Sequence, residues 1–354
     1  MSGAFDRDRP WLSQGRLAVL GTGAALPGAP VSTDALVARM QQQFGFSRER
    51  AARSIARNMG IEHRHFCRDF ALPSEAERPG DSNTDLVARA VTAALGDAGL
   101  HIDDIGYIVG HTTTPAQPIP SNIALAADRL GYRGPHIELR QACTGFANAL
   151  MIAFGLLARP DARPVVLVGS ETGSLWFDAL RVATDNGQLV NLMQMGDGAA
   201  AVVLGPADRA AAQIEASWFG AMGVGAEPGL QVHHGATEFD HDFTGIRATG
   251  STLFDAGARA AGQHGIALSD MDVIVPHQVS GHIGALLAAH FAYPVERMFG
   301  NARRLGNTGS AAMWLALAEL RADGLSDGET MLALGAEATK FMYGGFVYRH
   351  RCNS

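Results

Sequence analysis

Hydrophobic and polar positions along the chain form a pattern that is written twice. Residues 84–100 (TDLVARAVTAALGDAGL) and 251–268 (STLFDAGARAAGQHGIAL) carry Ala and Leu at helical spacing and close on glycine near their ends, which predicts a helix in each. Each is followed by an acid, an apolar position and an Ile/Val-rich run, IDDIGYIVGH (102–111) and LSDMDVIVPH (268–277), that predicts a strand ending in a histidine, His111 and His277. Next, Cys143-Thr144-Gly145 opens an apolar helix (CTGFANALMIAFGLL) 32 residues after His111, and Asn307-Thr308-Gly309 opens another (NTGSAAMWLALAEL) 30 residues after His277. Both helices lead to strands that end in small residues and glutamate, VVLVGSE (165–171) and MLALGAE (331–337). From Cys143 to Gly169 is 26 residues and from Asn307 to Gly335 is 28. Four landmarks in one order at nearly constant spacing indicate an internal duplication of a strand–helix unit, with a sheet in each half buried between helices. The chain divides into an amino-terminal extension (1–15), a half carrying Cys143 (16–208) and a half carrying His277 and Asn307 (209–354).

This duplication determines where chemistry can sit. Halves packed about a pseudo-twofold axis bring equivalent strand-end loops to the centre, the usual place for sites in α/β proteins. Cys143 then arrives from one half, His277 and Asn307 from the other. Taken singly, each has an ordinary reading: an inert buried cysteine, a core or loop histidine and a helix N-cap asparagine. Together they match an arrangement known for acyl chemistry. A cysteine opening a helix faces unpaired amides, which lower a thiol pKa from about 8.5 into the range of roughly 3.5–7.5.

Composition narrows the class. Apolar residues are 47% and charged residues 18% of 354, enough for a large core in about two domains. The formal charge of −7 argues against nucleic acid or an anionic membrane as partner. No apolar run approaches the roughly 18 residues a membrane span needs. The opening MSGAFDRDRPWLSQGR lacks the apolar core of a signal peptide. Three cysteines, Cys67, Cys143 and Cys352, have no metal-like spacing and cannot build a disulfide framework. A protein of a reducing cytoplasm, without a bound metal, is expected. Lys340 is the only lysine.

The motifs DIGYIVGHTTTPAQPIPSNIALAADRLG, QACTGF, MGDGAAAVVLG (195–205), VPHQ and GNTGSAA occur in that order, with GTGAALPG (21–28) and MGIEHRHF (59–66) upstream. The chain thereby resembles the β-ketoacyl-acyl-carrier-protein synthase III group of the thiolase superfamily from about residue 16 to residue 350. The resemblance implies an α/β thiolase fold, with duplicated five-stranded mixed sheets in αβαβα layers, and a homodimer. It implies that Cys143 accepts the acyl group, and that His277 and Asn307 hold the second thioester and steady its enolate. It implies no tightly bound cofactor, with a thioester on coenzyme A or an acyl-carrier protein as substrate and partner. The Cys143 amide would supply half of an oxyanion hole.

Departures from the family pattern point to a specialised substrate. A glycine run that supplies the other oxyanion donor falls on Ala338-Thr339-Lys340, making Thr339 the candidate donor unless its φ is positive. Lys340 is a candidate for a substrate carboxylate or phosphate, with a solvated loop charge as the alternative. An aromatic and an arginine that grip coenzyme A read Ser54 and Asn58. Further basic positions read His282, Ala289 and, beside Phe254 at the substrate entrance, Asp255. Ile119 stands where the family places an aromatic gate to the neighbouring subunit's acyl pocket; packing in a dimer interface is the alternative. Three readings follow. These are decarboxylative condensation, acyl transfer from Cys143 to an oxygen or nitrogen nucleophile with His277 as base, and a silent subunit of a heterodimer.

Overall fold

The computed structural model describes residues 10–68, 80–176, 181–208, 211–232 and 239–352. Strand β1 (Trp11–Leu12) precedes the first half, to which β2 (Leu17–Ala25), β3 (Val31–Ser32), β4 (His63–Arg64), β5 (Tyr107–His111), β6 (His136–Leu139), β7 (Val165–Glu171) and β8 (Gly198–Pro206) belong. Its helices are α1 (Thr33–Phe44), α2 (Glu49–Met59), α3 (Asn83–Ala98), α4 (Asn122–Leu130), α5 (Gly145–Leu157) and α6 (Asn186–Gln194). The second half holds β9 (Gln213–Ala221), β10 (Leu230–Gln231), β11 (Asp240–His241), β12 (Val273–Pro276), β13 (Thr330–Glu337) and β14 (Met342–Arg349). Its helices are α7 (Phe243–Gln263), α8 (Ile283–Phe291), α9 (Ala302–Leu305) and α10 (Ala312–Glu319).

The duplication is visible in the strand order. The first half pairs as β2-β8-β7-β5-β6 and the second as β9-β14-β13-β12. The place equivalent to β6 is reduced to one parallel bridge between Ile274 and Met298. Both halves mix parallel pairs (β5 with β7, β12 with β13) and antiparallel ones (β7 with β8, β13 with β14). The halves are not separate sheets. Leu17 and Ala18 pair with Ile214 and Gln213 of β9 while also pairing with β8, so β2 joins the two edge to edge. Trp11 and Leu12, within the stretch expected to be an extension, add to β9.

Period-two alternation sorts side chains onto two buried faces. Val165, Leu167, Val202 and Leu204 enter the central core, while Val166, Val168, Ala201 and Val203 enter an outer one. Strands buried on both faces read as near-continuous apolar runs, as here. The central core also contains α5 and α10. Helix α5 carries no charge and α10 only Glu319 at its end, which suits helices buried over most of their surface, although Met151 of α5 remains exposed. Trp314 of α10 stacks on Phe346 at 5.5 Å and meets the edge of Phe146 of α5 at 6.0 Å. Helices α3 and α4 cover the outer face of the first sheet, and α7 and α8 that of the second. This is the αβαβα layering of the thiolase fold. Among the described residues, no helix is long and apolar enough to cross a membrane, and no group of three His, Cys, Asp or Glu could hold a metal ion.

Candidate active site

Cys143 sits in a tight turn closed by the Gly145 amide donating to the Ala142 carbonyl at 2.9 Å, immediately before α5. Half-buried Cys143 has fully buried neighbours, Ala142 and Thr144. His277 follows the last residue of β12, is 1% exposed, and its amide donates to Leu334 of β13 at 2.8 Å. Asn307 runs beside the segment after α6: its amide donates to the Gln194 carbonyl at 2.8 Å, and its carbonyl accepts from the Gly196 amide at 3.0 Å. A Cβ on Gly196 would stand 1.8 Å from the Leu305 carbonyl oxygen, so the MGDG motif owes this glycine to backbone running against backbone.

Hydrogen bonds stitch the three loops together. Gln194 Nε2 donates to the Val279 carbonyl at 3.0 Å, linking the Asn307 segment to the loop after His277. Ser310 Oγ donates to the Gln141 carbonyl at 3.2 Å, linking the turn after Asn307 to the residues before Cys143. Buried Gln278 of VPHQ accepts from the Asn301 amide at 2.8 Å, fixing the approach to Asn307. The pseudo-symmetry thus brings the loops of Cys143, His277 and Asn307 together.

Their polar groups are unequally committed. Asn307 Oδ1 accepts from the Gly309 amide at 3.0 Å, so the outward end of the side chain is its NH2 donor. Neither ring nitrogen of His277 has a hydrogen-bond partner among the described residues, and burial holds its pKa down at about 4. Its imidazole is therefore neutral near pH 7 and offers one N–H. His111, the first-half equivalent, accepts from Trp314 Nε1 at 3.0 Å, packs against Gly145, and is pushed down to about 3 by burial.

The structure reverses the expected cysteine chemistry. The thiol of Cys143 lies well above its ordinary value, through burial first and then the charges of Glu337 and Glu171. The helix-start amide that should favour a thiolate instead serves Glu337: Thr144 N and Oγ1 donate to Glu337 Oε2 at 2.9 and 2.6 Å. Resting Cys143 is a thiol.

Other expected positions divide. Thr339 Oγ1 donates to Glu337, the carboxylate that also accepts from Thr144 beside Cys143. The positive φ in this turn falls on Phe341, at 53°, rather than on Thr339. Lys340 is exposed and donates to the Ala226 carbonyl at the surface, as a solvated loop charge would. Phe254 is 4% exposed within the outer core of the second half, so it is a packing residue and not an entrance contact. Asp255 pairs with His290 at 2.7 Å, and Ala289 is exposed. Ile119 is 85% exposed on its loop.

Sequence reasoning missed the rim of a cleft of about 700 Å³ beside the loop after His277, bounded by Arg53, Arg57, His63, His282 and Arg303. Arg53 pairs with Asp34 and Arg303 with Glu62, whereas exposed Arg57 has no side-chain partner among the described residues. Arg57 directly precedes Asn58, so a cation stands one position from where the family pattern places it. Glu171 and Glu337 were also missed, although both close the repeated strand motif.

Residues 137–223 match the family described as 3-oxoacyl-[acyl-carrier-protein (ACP)] synthase III, and residues 262–349 match its carboxy-terminal part. A β-ketoacyl-[acyl-carrier-protein] synthase III of Oleidesulfovibrio alaskensis is 30% identical over 314 residues, 82% of this chain and 86% of that protein. Among solved structures, AbyA1, described as a tetronic acid condensing enzyme, aligns with a TM-score of 0.82 at 25% identity, covering 94% of this chain and 99% of its own. The synthase III FabH of Pseudomonas aeruginosa PAO1 gives 0.78 at 28% identity, covering 96% and 100%. The chain belongs to the β-ketoacyl-[acyl-carrier-protein] synthase III family of condensing enzymes.

Proposed function

We propose that this protein joins two acyl thioesters by decarboxylative carbon–carbon condensation in a specialised pathway. Cys143 attacks the first thioester carbonyl; the C–S bond to the carrier breaks, and the cysteine proton ends on the departing thiol. A malonyl-type thioester then enters with its carbonyl oxygen facing the His277 N–H and the Asn307 NH2. Carbon dioxide leaves, the electron pair passes to the enolate, and the enolate carbon attacks the acyl group on Cys143. The C–S bond breaks, releasing the β-keto product and a Cys143 thiolate, which takes a proton from water to restore the resting thiol.

The observation that carries this reading is the pair of uncommitted neutral donors. Fixed neutral N–H groups in a dry site stabilise a developing enolate, whereas an imidazole with a pKa near 4 is a weak base for an alcohol or amine. Arg57 at the cleft rim fits a phosphate of a phosphopantetheine thioester, on coenzyme A or a carrier protein. Exposed Ile119 and Ile137, the latter on β6 at the sheet's edge, support a homodimer.

Incubation with acyl- and malonyl-coenzyme A, followed by mass spectrometry of protein and small molecules, tests the reaction. An acyl adduct on Cys143 and a chain-extended β-keto product are expected. Product from Asn307→Ala at a near-normal rate, with none from His277→Ala, would replace condensation by acyl transfer to a small nucleophile.

A further inference from the structure

Two buried glutamates outside this chemistry occupy equivalent places, Glu171 ending β7 and Glu337 ending β13, at 6% and 1% exposure. Each reaches into the opposite half. Glu337 accepts from Thr144 N at 2.9 Å, from Thr144 Oγ1 at 2.6 Å and from Ala142 N at 3.4 Å, so it holds the residues on both sides of Cys143. Glu171 accepts from Ser310 N at 3.0 Å and Ser310 Oγ at 2.8 Å, three residues beyond Asn307, and from Thr113 N at 3.2 Å and Thr113 Oγ1 at 2.7 Å on its own side. Carboxylates this deeply buried are tolerable only when several donors surround them, and the bonds they accept are the strong, geometry-fixing kind.

We propose that Glu337 and Glu171 are positioning residues forming a reciprocal clasp, in which the strand-end carboxylate of each half sets the reactive loop of the other. This rests on Cys143 and Asn307 serving successive half-reactions, and it divides labour between them. Glu337 governs loading of Cys143. Glu171 governs the later step, in which Asn307 holds the second thioester. The clasp also fixes what surrounds the sulfur: Glu337 and Glu171 as charges, with His277 from the end of β12 and His111 behind Gly145 both neutral. Removing the Glu337 charge therefore makes Cys143 easier to ionise.

The test uses full-length Glu337→Gln, Glu171→Gln and Thr144→Val, the last keeping both carboxylates. Acyl loading from hexanoyl-coenzyme A is followed by intact mass, and turnover of the loaded enzyme with malonyl-coenzyme A is followed separately. Iodoacetamide alkylation of Cys143 is read across pH by peptide mass spectrometry, and thermal unfolding checks the fold. Glu337→Gln is expected to load about 10-fold more slowly or worse, since small misplacements of reacting groups carry losses of up to about 10²-fold. Its alkylation profile should move to lower pH. Thr144→Val should slow loading several-fold with the profile in place. Glu171→Gln should load normally and lose about 10-fold in the second step. The clasp is overturned if Glu337→Gln keeps the wild-type alkylation profile, or if both glutamine variants lose the two half-reactions equally. Acylation of Cys143→Ala would instead overturn the nucleophile assignment, and alkylation of Cys143, which needs no turnover, would still test the clasp.

Discussion

His277→Ala separates donor from base. In the proposed condensation the substitution removes one of two neutral donors for the incoming carbonyl, a loss of about 2.7–4 kcal/mol of barrier, or roughly 10²–10³ in rate. Loading of Cys143 should persist, because in that reading the imidazole acts after the acyl group has arrived. The fold should survive as well. Both ring nitrogens are buried without partners among the described residues, an arrangement that costs roughly 1–3 kcal/mol for each unmade bond. Removing the ring loses packing but also removes that burden, so the melting temperature should stay within a few degrees of wild type. The wild-type enzyme supplies the second half of the test. With a pKa of about 4, His277 is almost wholly uncharged at pH 7 and still mostly so at pH 5. Single-turnover condensation of preformed acyl-enzyme should therefore be flat in His277 from about pH 8 to 5 and fall only near 4. A midpoint near the ordinary imidazole value of about 6.5, or a His277→Ala rate within about threefold of wild type, would refute the donor role.

Gly196→Ala should lower stability by about 1–3 kcal/mol, seen as a drop in melting temperature, and impair condensation, because its Cβ meets the Leu305 carbonyl at 1.8 Å beside Asn307. Acid should destabilise the fold. His111 and His277 sit at about 3 and 4 when folded, so below about pH 6.5 the unfolded chain binds more protons and stability falls at about 1.4 kcal/mol per unit for each. Asp197, raised by burial to about 6, opposes one of them between that value and its ordinary 3.8. Urea unfolding at pH 7 and 5 should show a net loss of at least about 2 kcal/mol. Wild-type protein should sediment as a dimer at micromolar concentration, and Ile119→Asp should shift it toward monomer; wild-type monomer alone would remove the dimer.

The site was legible where the repeat preserved spacing. Cys143 and Asn307 hold equivalent places ahead of α5 and α10, His277 follows β12 as His111 ends β5, and the layering follows from apolar strands such as VVLVGSE that have no polar face. What escaped the sequence depends on contacts between distant residues. The low thiol pKa expected of a helix start fails because the thiol is buried and because two glutamates, Glu337 and Glu171, place their charges beside it. Phe254, an apolar residue beside an acidic one, gives no local sign that it points into the outer core rather than toward substrate. Arg57 was passed over because the family pattern places its cation at position 58, and only the fold shows a neighbouring side chain bounding the same cleft. The joining of the sheets rests on two residues of β2 that serve two neighbours, a pairing no period reveals.

The bond between Thr144 and Glu337 spans 193 residues of chain. Synthesis runs from the amino terminus, and segments fold as they emerge. The first half can therefore gather its helices and strands while the turn around Cys143 still waits for its fastening. That fastening arrives only when β13 has left the ribosome and docked, long after the residues around Cys143 have emerged. A nascent or prematurely ended chain carries the cysteine but not the frame that aims it. The setting of the turn around Cys143 is thus tied to synthesis of the second half.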